Sequence, residues 1–366
     1  MRVAIVGAGL IGGSLGMALR GLGDVDEVVV SDAAPGRAEA AVEAGAADRA
    51  AGSPEVAGEG ADLIVVATPV GAVVDVACLA ALRATPGAVV TDVGSVKGRI
   101  VADAERRMPA HVRFIGGHPM AGSELEGLEG ADAAMFKGAT WVLTPTATSD
   151  ALAQATLTRL LHALGAHVVA LDPRHHDRLV AVVSHLPHLA AGTLLNLAAE
   201  RSLDANGLLA LAAGGFRDMT RVSAGSSGIW LDICEDNADA IVEVIDAYVD
   251  GLSAVRDAIA CDNRGEIRRL LESARVARNR IPAKAGTLPS SLVEVTIPIP
   301  DRPGVIAEVT TLIGNEGVNI EDIQIVHSAE GGQGLLHLVL GGDDDRSGRV
   351  TAALVRAGYS PRLHHL

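Results

Sequence analysis

Aromatic side chains are nearly missing from this chain: Phe, Tyr and Trp make up 2 % of 366 residues. Its cores must be built from Ala, Val, Leu and Ile, with 42 glycines allowing close backbone approach. Cysteine is scarce too. Cys78, Cys234 and Cys261 lie far apart with no CxxC pair, which argues against a disulfide framework or a zinc–thiolate site and fits a reducing compartment. Positive charge is short: 30 Lys and Arg face 45 Asp and Glu, a net charge of −15. No Lys/Arg cluster forms the basic stripe that a nucleic-acid binder needs. No uniformly apolar, charge-free run reaches the roughly 20 residues of a membrane span. Met1–Val6 runs straight into Gly7, without the longer apolar stretch and cleavage site of a signal peptide. The expectation is a soluble, cytoplasmic protein with no nucleic-acid and no membrane partner.

What is present is a change of pattern along the chain. Residues 1–171 alternate short β-rich runs (3–6, 28–31, 63–67, 88–91, 113–115, 140–143, 167–171) with helical stretches such as 10–22, 37–44 and 151–164. That alternation predicts an α/β domain of βαβ units around a parallel, buried sheet. From 172 to 281 strand signals vanish and long apolar helical segments dominate (179–199, 238–260, 266–280), predicting an all-helical domain that helps form a homodimer. Residues 282–291, with Pro282 and Pro289, read as a linker. Residues 292–366 then predict a small βαββαβ domain.

Gly7-Ala-Gly9-Leu10-Ile11-Gly12 follows the first strand and opens a helix. In that setting GxGxxG is a Rossmann-type dinucleotide loop: Gly7 for the turn, Gly9 for pyrophosphate approach, Gly12 for helix–sheet packing. Leu10 and Ile11 begin a helix whose free N–H groups suit phosphates. Thr68 and Pro69, after the 63–67 strand, are further cofactor-binding candidates. Asp32 ends the second strand, where a carboxylate accepts hydrogen bonds from a ribose 2′-hydroxyl and repels a 2′-phosphate, so NAD is favoured over NADP. Ser95, in Asp92-Val-Gly-Ser-Val-Lys97, stands at the ligand edge of the sheet, as either a hydrogen-bonding group or a helix cap. His118 lies in Gly116-Gly-His-Pro-Met-Ala-Gly-Ser-Glu124, just past a strand. Glycines beside it would expose the imidazole, whose ordinary pKa of about 6.5 suits general-base work. His175, His176, His185 and His188 invite a metal reading, but Pro187 interrupts helical spacing and no acidic or thiolate cluster accompanies them. Substrate hydrogen bonding by His188 fits better. Arg217 and Arg221, beside Gly214-Gly215, offer either a bidentate carboxylate anchor or a surface ion pair to Asp218 or Asp232.

GxGLIGxS, DxGSxK, GGHPMAGSE, SHLPH and GFRDxTR occur in this order. Together they resemble the prephenate/arogenate dehydrogenase family of tyrosine biosynthesis over residues 1–280. The segment with DRPGVIAEV and GVNIEDI resembles an ACT domain, a small-molecule regulatory module. One departure is Ser226-Ser-Gly-Ile-Trp230, where the family usually carries Asp-Pro ahead of Met-Trp. The resemblance implies NAD-dependent oxidative decarboxylation of prephenate to 4-hydroxyphenylpyruvate. It gives His118 the proton of the C4 hydroxyl, Ser95 a hydrogen bond to that hydroxyl and the orienting of His118, and Arg221 a substrate carboxylate. His188 and Trp230 line the side-chain end, and Gly214 makes room. At the ACT-like domain Asp301, Gly304, Asn319 and Ile320 are the expected effector-binding positions, with tyrosine as first candidate. Arogenate dehydrogenase is the alternative within the family. A β-hydroxyacid dehydrogenase would need a Lys in the helical domain, and none lies between Pro173 and Arg280. A non-enzymatic NAD and amino-acid sensor would not need His118 and Arg221 together.

Overall fold

The computed structural model describes residues 1–122, 127–204, 212–224, 227–278, 292–300, 302–327, 333–341 and 344–365. The linker 282–291, Asp301, Ser226 and the Ser123–Glu124 end of the His118 motif lie outside them. The chain divides into two compact units, Met1–Leu252 and Ser253–Leu366.

The first unit is built on an eight-stranded sheet: β1 (Arg2–Val6), β2 (Glu27–Ser31), β3 (Arg49–Ala50), β4 (Leu63–Val66), β5 (Val89–Asp92), β6 (Arg113–Met120), β7 (Thr140–Thr144) and β8 (His167–Ala170), in spatial order β3-β2-β1-β4-β5-β6-β7-β8. Side chains alternate across a strand, so each of these apolar runs feeds two cores. Val3, Ile5, Val28, Val30, Leu63 and Val65 pack on one face, with Leu15 and Leu19 of α1 (Leu10–Arg20). Ala4, Val6, Val29, Ile64 and Val66 pack on the other, with Val73 and Ala77 of α4 (Val73–Ala81). Short helices α2 (Arg37–Glu43) and α3 (Pro54–Ala57) complete the first half; α5 (Gly98–Arg107) and α6 (Ala151–Ala163) cover the second.

Two features differ from the expected parallel sheet with His118 beyond a strand. β7 runs antiparallel to β6 and β8 is parallel to β7, so the last pair is reversed. Among the described residues only a 3-10 turn (Leu128–Gly130) lies between β6 and β7, and the chain returns antiparallel. β6 also continues through Gly116, Gly117, His118 and Pro119, because β7 supplies a ladder in which His118 faces Val142.

Helices take over from Pro173. α7 (Pro173–Val180) passes through one π turn (Ala181–His185) into α8 (Leu186–Asp204). Pro187 therefore does not interrupt the helix as the sequence suggested. The π turn before it shifts hydrogen bonding to i→i+5, so the missing Pro187 N–H falls where the ladder is already re-paired. The helix Pro173–Arg201 is long and apolar enough, by length and composition, to cross a membrane. Its buried face instead carries His176, Asp177 and His185. α9 (Gly214–Thr220), α10 (Ser227–Asp236), α11 (Ala238–Ala260) and α12 (Arg264–Arg278) follow, the boundary between the units falling within α11.

In the second unit β9 (Leu292–Pro300), α13 (Val305–Asn315), β10 (Asn319–His327), β11 (Gln333–Gly341), α14 (Asp344–Arg356) and β12 (Arg362–His365) realise the expected βαββαβ order. The antiparallel sheet runs β10-β11-β9-β12. Alternate residues Val293, Val295, Ile297 and Ile299 meet Val309 and Ile313 of α13 and Leu354 of α14 in a separate core.

Candidate active site

The dinucleotide loop has the stereochemistry that its glycines suggest. Gly7 adopts φ +105°, and a Cβ there would stand 2.3 Å from the Ala67 carbonyl oxygen. A Cβ on Gly12 would lie 1.9 Å from the Gly7 oxygen. Gly9 has open space beside it, with nothing within 4 Å. It caps α1 without a side chain, leaving the first N–H groups, including those of Leu10 and Ile11, for a phosphate. Thr68 and Pro69 follow β4, beside β1 where the strand order reverses, the crevice in which open α/β sheets bind ligands. Asp32 accepts the Ala8 N–H at 2.7 Å and the Ala34 N–H at 2.8 Å, one on each oxygen. Each oxygen keeps acceptor capacity for a ribose hydroxyl. This cradle fits NAD.

His118 heads a chain of hydrogen bonds that fixes its tautomer. Asp177 is an acceptor, so the His176 Nδ1 that meets it at 2.8 Å carries a proton. His176 Nε2 is then the acceptor for His118 Nδ1–H, at 2.9 Å. His118 Nε2 is left with its lone pair free, the state a general base needs. Asp177 is itself held at the N-terminus of α5: its two oxygens accept the Lys97 and Gly98 N–H groups at 2.8 and 2.7 Å. Burial, then Lys97, His176 and His185, push His118 well below the usual histidine range. Protonation would abolish the base, so kcat/KM should stay level through neutral pH. It should fall with unit slope only once the pH drops below the ordinary histidine value of about 6.5. A pH–rate profile whose acid limb has its midpoint above that value would contradict this arrangement.

Beneath His118 lies a buried ion pair. Lys97 and Asp92 are both fully buried and paired, and Lys97 Nζ also donates to the Gly117 carbonyl at 2.8 Å. Asp92 accepts the Gly94 and Gly117 N–H groups in return, at 2.8 and 3.1 Å. The glycine pair before His118 serves this packing rather than uncovering the imidazole. A Cβ on Gly116 would meet Thr144 Oγ1 at 2.4 Å, and one on Gly117 the Asp92 carbonyl oxygen at 2.7 Å. Ser95 is half-buried on the loop after β5; His118 Nδ1 is held by His176, and no hydrogen bond joins Ser95 to His118 among the described residues.

The helical segment brings His188 and Trp230 together, their rings stacked at 3.6 Å and 15°. Burial draws the His188 pKa down. His185 meets the same indole edge-to-face at 6.0 Å. Arg221 lies exposed just past α9, and Gly214 opens that helix with free space beside it. Asp232 accepts the Gly71 N–H at 3.2 Å, and Arg217 donates to the Ala212 carbonyl at 3.2 Å. Among the described residues no three or more His, Cys, Asp or Glu side chains are grouped to hold a metal. In the second unit, Gly304 (φ +88°) precedes α13 with open space beside it, and Asn319 and Ile320 begin β10.

A dinucleotide cradle after β1 and an imidazole on β6 of the same sheet, its Nε2 unprotonated, fit a nicotinamide-dependent dehydrogenase. Known proteins narrow that class. The family model of the prephenate dehydrogenase nucleotide-binding domain matches residues 15–170, that of the prephenate dehydrogenase dimerization domain residues 172–273, and that of the ACT domain residues 294–359. A prephenate dehydrogenase of Bacillus subtilis is 32 % identical over 98 % of this chain and 96 % of its own. One of Lactococcus lactis is 31 % identical over 89 % and 91 %. Among solved structures, Aquifex aeolicus prephenate dehydrogenase in complex with hydroxyphenyl propionate and NAD+ superposes with a TM-score of 0.73 at 30 % identity, covering 77 % of this chain and 98 % of its own. Synechocystis arogenate dehydrogenase superposes at 0.67 and 31 % identity, covering 76 % and 99 %. The chain belongs to the prephenate dehydrogenase family and carries a C-terminal ACT domain.

Proposed function

We propose that this chain catalyses the NAD-dependent oxidative decarboxylation of prephenate to 4-hydroxyphenylpyruvate in the cytoplasm, as a homodimer. The observation that carries the reading is the free lone pair on His118 Nε2, fixed by the His176–Asp177 pair. NAD, when bound, supplies the acceptor for the two electrons that leave C4 of the substrate. His118 Nε2 takes the C4 hydroxyl proton, and the positive charge it gains is stabilised through His176 towards the Asp177 carboxylate. Ser95 contributes a hydroxyl to the same oxygen. Arg221 holds a substrate carboxylate, His188 and Trp230 form the wall at the side-chain end, and Gly214 leaves room there. Loss of the ring carboxylate as CO2 leaves its bonding pair in the ring, which becomes aromatic. Incubation with prephenate and NAD tests the reading: it requires NADH, CO2 and 4-hydroxyphenylpyruvate in equal amounts, with arogenate a poorer substrate. Reduction of NAD with arogenate but not prephenate would contradict it.

The carboxylate of Asp32 supports NAD over NADP. Asp32→Ala should narrow the ratio of kcat/KM for NAD over NADP by about tenfold or more, by removing the charge that repels a 2′-phosphate. An unchanged ratio would remove Asp32 from cofactor choice. Exposed apolar side chains on the helices, among them Val183, Leu197, Leu231 and Val242, support the homodimer. The open space at Gly304 and the start of α13 supports binding of an amino acid by its carboxylate at the ACT domain, with Asn319 and Ile320 beside it and tyrosine the first candidate. A chain ending at Ile281 should keep its dehydrogenase activity and lose inhibition by tyrosine. Equal sensitivity would place the inhibition at the active site.

A further inference from the structure

His185 is 1 % exposed and plays no part in the relay from His118 to Asp177. Its protonation state follows from its neighbours. Asn237 Nδ2 lies 2.9 Å from the Asp177 carbonyl oxygen, an atom that only accepts, so the amide orientation is fixed. The same nitrogen lies 3.2 Å from His185 Nδ1. An amide nitrogen has no lone pair to offer, so His185 Nδ1 accepts, and a neutral His185 carries its proton on Nε2. Burial pushes its pKa down to about 4, so the ring is neutral at physiological pH. That Nε2–H is buried and finds no acceptor among the described residues. An orphaned buried donor is costly and calls for an explanation. Its surroundings supply one. The ring meets Trp230 edge-to-face, Trp230 stacks on His188, and His185 is near enough to depress the His118 pKa. It thus stands between the base and the aromatic wall.

We propose that His185 is a substrate-binding residue whose Nε2–H donates to a carboxylate oxygen of the bound substrate, at the end of the molecule away from the C4 hydroxyl. The assignment rests on the dehydrogenase reading above. Being neutral, the donor holds that oxygen without adding a second cation beside His118, and its unmet hydrogen bond favours a ligand that brings an acceptor. A substrate with an apolar group there leaves the donor unpaired, which makes His185 a determinant of specificity. Asn237 is its positioning residue.

Two variants test this, with kinetics for both substrates and a thermal unfolding curve for each. His185→Leu removes the donor and should raise the KM for prephenate about tenfold or more while the KM for NAD stays within about twofold. His185→Gln places an amide N–H near the lost Nε2–H and should recover most of that loss. An unchanged prephenate KM in His185→Leu would overturn the assignment while leaving the activity standing. A rise in the NAD KM instead would place the donor on the cofactor. Equal impairment of both variants with a shared fall in Tm would make His185 structural. A wild-type chain that leaves prephenate unoxidised would remove the activity itself, and this assignment with it.

Discussion

His118→Asn should lower kcat by about 10²–10⁴-fold while leaving the KM for prephenate nearly unchanged. The asparagine amide nitrogen can take the place of Nδ1 and keep the hydrogen bond to His176 Nε2, so the pocket retains its shape. What it lacks is a basic atom where Nε2 stands. The loss therefore falls on the step in which the hydroxyl proton moves, not on binding. Steady-state kinetics with prephenate and NAD measure it. A variant with near-normal kcat would mean that His118 only packs β6 against its neighbours.

Lys97→Met should be the most destabilising single change near the site, at about 3–5 kcal/mol. Both partners of the Lys97–Asp92 pair are fully buried, so removing the ammonium strands a carboxylate with no water to solvate it. The Gly117 carbonyl loses its Lys97 donor as well. The double variant Lys97→Met/Asp92→Asn should recover part of the loss, because Asn removes the stranded charge and keeps one oxygen to accept either the Gly94 or the Gly117 N–H. Chemical unfolding of the three proteins gives the comparison. Equal stability of Lys97→Met and wild type would show that the pair is not a structural element, whereas a double variant worse than the single would mean that the Asp92 charge is needed for itself.

The sequence discloses the parts of this molecule that are local. Val3–Val6 and Leu63–Val66 are β-rich runs closed by turn residues, and Gly7, Gly9 and Gly12 have one recurrent physical use. His188 and Trp230, read from motifs more than 40 residues apart, stack on each other, a meeting the motifs do not state. What the sequence hides depends on distant elements meeting. His175-His176-Asp177 looks like a polar helix start. Only when α7 reaches the N-terminus of α5 does Asp177 accept the Lys97 and Gly98 N–H groups and turn His176 towards His118. Asn237, remote in sequence from both Asp177 and His185, joins them for the same reason. In Asp92-Val-Gly-Ser-Val-Lys97 the motif points to Ser95, whereas its two charged ends make the buried pair; Lys97 is one of few lysines in an acidic chain, a signal that singles it out. The Gly-His-Pro segment reads as a loop by composition, and it is a strand because β7 lies beside it.

As the proposed base, His118 should wait neutral with its proton on Nδ1, held there by His176 and Asp177. Nitrogen-15 NMR of the histidine rings at neutral pH tests it directly, with His118→Asn used to assign the resonances. The expected result is a protonated Nδ1 and an unprotonated Nε2 for His118, a state lost when Asp177→Asn disturbs the pair behind it. A proton on Nε2, or an imidazolium ring at neutral pH, would contradict it.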